Sequence, residues 1–287
     1  MYKLQYLMTV GMINILKLFP ESTRFSFAKG LGTLGYKIVK SRRVTALANL
    51  KLAFPEKSQQ EREKIALKSF QVMSKAFLST LWFDSYLKND DNVKVKNIEL
   101  LDKAHAKGKG VVIATMHMGN MEASLKIADK YHVLTVAKKQ KNPYIDKFIT
   151  ENREKLNITL LKKDRGTSKK LFEALEKKSI VALFSDHRDK GAEVEFFGES
   201  TIAPTGAVSL ALKYDVPLIL GFNVLNDDNT CTAHIYEEIE MVHAESFKES
   251  VRINTQILID KMEKIITEYP EQWMWFHDRW KLYKKIK

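Results

Sequence analysis

Apolar and polar positions change texture three times along this chain. The first stretch, Leu4 to Phe19, reads LQYLMTVGMINILKLF and is broken by Gln5, Thr9, Asn14 and Lys17. That falls short of the ~20 apolar residues of a spanning helix, and no small-x-small cleavage site follows it. Lying between Lys3 and a run of basic residues, it predicts a helix on a membrane surface or marginally inserted. A buried first helix of a soluble protein fits the same pattern. Residues 22–40 and 42–53 then carry helical spacing, punctuated by Pro20 and Pro55. From Gln59 to Leu87 the positions Ile65, Phe70, Met73, Phe77, Leu81 and Phe83 mark a long amphipathic pattern, and Asn89–Asp91 ends it.

After about residue 95 the texture becomes alternating. Gly110–Met116, His132–Ala137, Ile158–Leu161, Ser179–Phe184 and Pro217–Val224 read as short apolar strands. Helical patterns at 120–129, 143–155, 167–177 and 205–213 separate them, and 246–269 forms one more amphipathic helix. Such alternation predicts an α/β fold: a mixed, largely parallel sheet flanked by helices, with an N-terminal helical cap. No Gly/Ser/Pro linker divides the chain. The expected organisation is a membrane-associating segment over 1–20 and a single domain over 21–287. Within that domain, 21–90 form the cap, 95–245 the core and 246–287 a C-terminal helix with an aromatic, basic tail.

Charge sharpens this picture. The 287 residues have a formal net charge of +12. Residues 1–57 hold ten Lys and Arg against Glu21 and Glu56, and 278–287 hold five against Asp278, so 58–277 are neutral. Basic ends on a neutral body predict an anionic partner, a lipid surface or nucleic acid. No nucleic-acid module is present, which disfavours the second. A lone cysteine, Cys231, excludes an internal disulfide and a Cys-rich zinc site, and its place in the apparent strand CTAHIYEEI makes it a packing residue. The histidines show no metal-ligand spacing.

The sharpest local chemistry is His117-Met118-Gly119-Asn120-Met121-Glu122. His117 directly follows a strand, where α/β proteins place ligand and catalytic groups. Gly119 permits a tight turn, Asn120 can cap the next helix, and Glu122 falls in its first turn. A carboxylate on one ring nitrogen fixes the tautomer and makes the other more basic, as removal of an alcohol proton requires. Spacing alone fits a surface His beside a helix-start Glu equally well. Arg153, in the helix NPYIDKFITENREKLN, Arg165, after ITLLKK, and Asp186, directly after SIVALFS, are charged groups at sheet edges or helix ends. Each arginine suits phosphate, and Asp186 suits orienting one of them. Solvated surface charge is the plainer reading of all three. Thr205 and Gly206 open a helix whose N-terminal amides favour anions, or form an ordinary cap. Three of the four tryptophans fall between Trp273 and Trp280, as a core plug, a membrane-interface anchor, or both.

In this order the motifs resemble the late acyltransferases of lipid A biosynthesis, the lauroyl and myristoyl transferase group, over about residues 1–282. They run from the apolar N-terminus through Arg43 and NLKLAFPE (Asn49 to Glu56) to His117 and Glu122. Asn142, Pro143 and Asp146, then Arg153 and Asp186, come next. Phe196-Phe197-Gly198 leads into Thr205-Gly206, and the aromatic run Trp273 to Trp280 closes the set. The resemblance implies a fold like that of the glycerol-phosphate acyltransferase superfamily, with a hydrophobic groove. It implies transfer of a fatty acyl group from acyl carrier protein to an acyl-chain hydroxyl on a Kdo-bearing lipid A precursor, at the cytoplasmic face of a bacterial inner membrane. His117 would be the general base positioned by Glu122, with Arg153 and Asp186 holding phosphate or shaping the oxyanion site, and with no cofactor or metal. The group often has Asp-Gln where this chain has Asp186-His187. Rival readings are acylation of another glycolipid or glycerophosphate, a thioesterase, or a non-enzymatic basic binding protein.

Overall fold

In the computed structural model the protein is described over residues 1–282. Lys284, Lys285 and Lys287 of the basic tail lie outside the described residues. Five helices precede the sheet: α1 (Tyr2–Lys17), α2 (Glu21–Ile38), α3 (Lys40–Ala53), α4 (Gln59–Ser79) and α5 (Phe83–Lys88). Pro20 and the Phe54-Pro55 pair separate them where the pattern predicts. Ser58 starts α4 through a reciprocal capping box with Glu61, which satisfies two otherwise unpaired amides. None of the described helices is long and apolar enough to cross a membrane.

The remaining elements are β1 (Val93–Lys96), α6 (Ile98–Ala106), β2 (Val111–Thr115), a 3-10 segment Met121–Asp129, β3 (Val133–Ala137), α7 (Pro143–Glu154), β4 (Ile158–Lys162) and α8 (Thr167–Glu176). After these come β5 (Ile180–Phe184), β6 (Gly191–Phe196), β7 (Glu199–Pro204), α9 (Gly206–Tyr214), β8 (Leu218–Leu225), β9 (Cys231–Glu238) and α10 (Phe247–Glu268). Seven strands form one sheet in the order β1-β9-β8-β2-β5-β3-β4. Every neighbouring pair is parallel except β8 with β9. The central strand β2 is buried at all five positions, as a sheet covered on both faces requires. Val112, Ala114, Leu218 and Leu220 face α3, α4, α8, α9 and α10. Val111, Ile113 and Ile219 face α6 and the 3-10 segment.

Three elements differ from the pattern reading. The edge strand β1 was hidden because only one of its four residues is buried. Phe196-Phe197-Gly198, read as leading into a helix, is the tip of an antiparallel hairpin over residues 191–204. Its two-residue turn is Phe197 and Gly198, both at positive φ, the geometry that matches strand twist. The helix expected at 120–129 is a 3-10 segment.

Behind the C-terminal ends of β2 and β5 runs a strap, Gln272–Trp280. Its backbone pairs with the residues after β2: Gly119 N–H donates to the Gln272 carbonyl at 2.9 Å and Met274 N–H to that of His117 at 3.1 Å. Asn49 of α3, fully buried, donates to the carbonyls of Trp275 and His277 at 2.8 and 2.7 Å. Ser69 of α4 donates to that of Trp273. Trp273, Trp275 and Trp280 are 2%, 0% and 7% exposed. They close the core and do not sit at a membrane interface. Asn49→Ala leaves the buried Trp275 carbonyl without its donor, while the His277 carbonyl keeps the Arg279 amide; chemical denaturation should show a loss of about 1–3 kcal/mol.

Candidate active site

Parallel pairing of β2 with β5 sets Thr115 opposite Phe184. Two residues beyond each of these strand-end partners stand His117 and Asp186, and there they meet. His117 Nδ1–H donates to Asp186 Oδ1 at 2.8 Å. The other carboxylate oxygen, Oδ2, accepts from the His117 backbone amide at 2.8 Å and from Trp273 Nε1 at 2.8 Å. The chain after β2 enters the α6 face of the sheet, and α9 packs on the opposite face. The pair therefore occupies a topological switch point, where open α/β sheets bind ligands.

The electrostatics follow from burial and pairing. Asp186 is 2% exposed. Burial pushes its pKa up, but the His117 charge, its two hydrogen bonds and that of Trp273 outweigh burial and hold it below the usual carboxylate range. Burial pushes His117 down, yet the Asp186 carboxylate prevails and its pKa lies above the ordinary 6.5. With Nδ1 committed as a donor, Nε2 is the basic nitrogen. The ring stacks on Phe184 at 4.2 Å. A Gly119 φ of 58° turns the chain directly after the imidazole, and a Cβ there would overlap the Asn223 carbonyl.

The partner expected for His117 was Glu122, and this is corrected. Glu122 makes an ion pair with Arg153, and Asp186 takes the imidazole. The expectation that Asp186 orients an arginine is corrected by the same contacts. Asn120 is fully buried; its Oδ1 caps the 3-10 segment through Glu122 N–H at 3.3 Å and its Nδ2 donates to Ser79 at 3.0 Å. Arg165 is exposed in the turn after β4, the edge strand three places from β2. Thr205 opens α9 without a side-chain cap, and Gly206 faces Leu183, the residue before Phe184. Cys231 is buried, with burial raising its thiol to about 12.

Two more histidines lie near this pair: His187, which the sequence pattern marks beside Asp186, and His277, to which it assigns no role. Burial pushes both His187 and His277 below the usual imidazole range, outweighing the pull of Asp186. His277 Nε2 accepts from the Arg188 amide at 3.3 Å. His187 stands edge-on to His117 at 5.9 Å. Ligand-type atoms of His117, Asp186 and His187 lie within 4.8 Å of one another, a grouping that sequence spacing did not show.

Beyond the Gly119 turn lies an apolar cavity of about 250 Å³. Ile13, Leu81, Phe83, Ile149 and Leu156 line it, and the Glu122–Arg153 pair stands in its wall. Arg153 also lies 5.2 Å over the Phe83 ring.

A histidine–carboxylate dyad at the switch point of a mixed sheet has the geometry of a general base, and Glu122, five residues after His117, lines an apolar cavity. The chain belongs to the bacterial lipid A biosynthesis acyltransferase family, whose sequence pattern matches residues 1–282. It is similar to the lipid A biosynthesis lauroyltransferase of Escherichia coli K12, 26% identical over 95% of this chain and 90% of that protein. The E. coli palmitoleoyltransferase is 23% identical over 88% of this chain and 82% of its own length. A phosphatidylinositol mannoside acyltransferase of Mycobacterium tuberculosis is 27% identical over 65% of this chain and 59% of its own.

The dyad predicts a measurable titration. By NMR, His117 in the native protein should titrate above 6.5. In Asp186→Asn burial is the main remaining influence, and His117 should titrate below 6.5. Because the folded value is raised, the pairing stabilises the native state fully below 6.5 and that contribution fades as pH rises through the folded value.

Proposed function

We propose that this family member transfers a fatty acyl group from acyl carrier protein to a hydroxyl on an acyl chain of a phosphorylated lipid A precursor, at the cytoplasmic face of the inner membrane. The observation that carries this reading is the His117–Asp186 dyad, its basic Nε2 at the sheet end, with the apolar cavity beyond the turn. His117 Nε2 takes the acceptor hydroxyl proton as that oxygen attacks the thioester carbonyl. The tetrahedral intermediate collapses with loss of the thiolate, which recovers the proton from the imidazolium. Asp186 stabilises the imidazolium between these steps.

The backbone amides of His117, Met118 and Gly119 are already bonded, to Asp186, Met116 and Gln272. In this reading Arg153, oriented by Glu122 and lining the cavity, supplies positive charge to the carbonyl oxygen. The cavity wall suits an acyl chain. No step requires a nucleophile other than the substrate hydroxyl.

Membrane contact in this reading is monotopic. On α1, Leu4, Met8, Met12 and Ile15 are exposed at helical spacing; on α2, Phe27, Leu31, Leu34 and Ile38 form a second exposed stripe. Lys3, Lys17, Lys29 and Lys37 accompany them, which suits anionic headgroups.

Purified protein incubated with acyl carrier protein donors of several chain lengths and a tetra-acylated precursor should yield an acylated lipid by mass spectrometry. His117→Ala should reduce its rate about 10²–10⁴-fold. Full activity in that variant overturns the mechanism. A phosphatidylinositol mannoside in parallel tests the acceptor class, and fatty acid release without acceptor would point to a thioesterase. Separately, Leu31→Glu with Leu34→Glu should move the protein from anionic vesicles to the supernatant in a flotation assay while its circular dichroism is unchanged.

A further inference from the structure

The helix that carries an exposed apolar stripe also forms a wall of the cavity. Thr9 and Ile13 of α1 line it, facing Ile145, Phe148 and Ile149 of α7. The hold of α1 on α7 is slight. Of its sixteen residues only Ile13 is buried. Tyr6 meets Tyr144 and Phe148 with ring centroids at 6.0 and 6.2 Å. Asn142, which caps α7, donates to the Tyr2 carbonyl at 2.9 Å and to the Gln5 side chain at 3.4 Å. The link to α2 is short, Leu18 to Pro20.

The opposite side of α1 is bare. Leu4, Met8, Met12 and Ile15 are 63%, 67%, 49% and 60% exposed. In water, closing α1 on α7 shelters only the inner line of apolar residues. At a bilayer, hydrocarbon covers both lines, so the closed position loses its hydrophobic advantage. Lys3 and Lys17 near its two ends favour an anionic surface.

We propose that α1 is a membrane-operated gate: it closes the cavity against α7 in water and swings about Leu18–Pro20 into an anionic bilayer, opening the α1–α7 seam to a lipid acyl chain. The gate's purpose rests on the acyltransferase reading; its movement does not. Contact with the bilayer thereby controls access to the cavity that carries Glu122 and Arg153.

The test uses the full chain with Tyr6→Cys and Tyr144→Cys, in which the native Cys231 is buried. Dibromobimane fluoresces when it links both thiols, and each single-cysteine variant serves as a control. The linkage should form readily in buffer and about tenfold more slowly on phosphatidylglycerol-containing vesicles, reflecting a shift of population away from the closed form. Protein linked beforehand should transfer acyl chains to a vesicle-borne acceptor at under a tenth of the unlinked rate. Equal linking rates with and without vesicles overturn the gate, as does full transfer by the linked protein. Absence of transfer in every sample, linked or not, would count against the acyltransferase reading alone, because the linking rate still reports the movement.

Discussion

A carboxylate buried as deeply as Asp186 stays ionised only because three donors converge on it: the imidazole and amide of His117 and the indole of Trp273. Without them the charge would be neutralised, and His117 would lose what fixes its tautomer. Two parts of the fold supply these donors, the strand end at His117 and the C-terminal strap. Parallel register between β2 and β5 places the imidazole. The positive φ of Gly119 turns the chain after it. The C-terminal strap brings the indole, and that strap is held by Asn49 and Ser69 of the N-terminal helices. The helical cap and the end of the sheet that carries the dyad are therefore one mechanical unit.

A second ion pair divides the labour. Glu122 and Arg153 neutralise one another in the wall of an apolar cavity, leaving the imidazole to its other carboxylate. This keeps a charged, orientable guanidinium beside apolar surface with its partner in place, where an isolated charge would be costly. On the proposed reading, one pair moves a proton and the other positions charge. On the same reading, the basic N-terminal region and the exposed stripes of α1 and α2 turn the helical cap toward an anionic lipid surface.

Much of this was legible in the chain. The apolar runs 110–116 and 179–184 appear as β2 and β5 because buried central strands write themselves as unbroken β-branched stretches. His117 and Asp186 each stand just after such a run, a signal that placed both at the sheet end. What the sequence did not show was their pairing. Glu122 is five positions from His117 and Asp186 is 69 away, and local spacing favours the nearer acid. Parallel register, set by the whole sheet, decides otherwise. The strand β1 and the hairpin turn at Phe197-Gly198 were missed for a related reason: a mostly exposed edge strand and a short hairpin carry little periodic signal. The tryptophan cluster read as a core plug, an interface anchor or both; burial decides for the plug, and nothing local revealed that one indole reaches the Asp186 carboxylate.

The most direct test of the account compares the two acids through the pH dependence of kcat/KM. Loss of Asp186 as Asp186→Asn should lower the rate and move the acid limb to lower pH, since His117 then loses the charge that raises its pKa. Glu122→Gln should lower the rate through Arg153 and leave that limb where it is. A limb that moves in Glu122→Gln and stays fixed in Asp186→Asn would contradict the account and return the imidazole to Glu122.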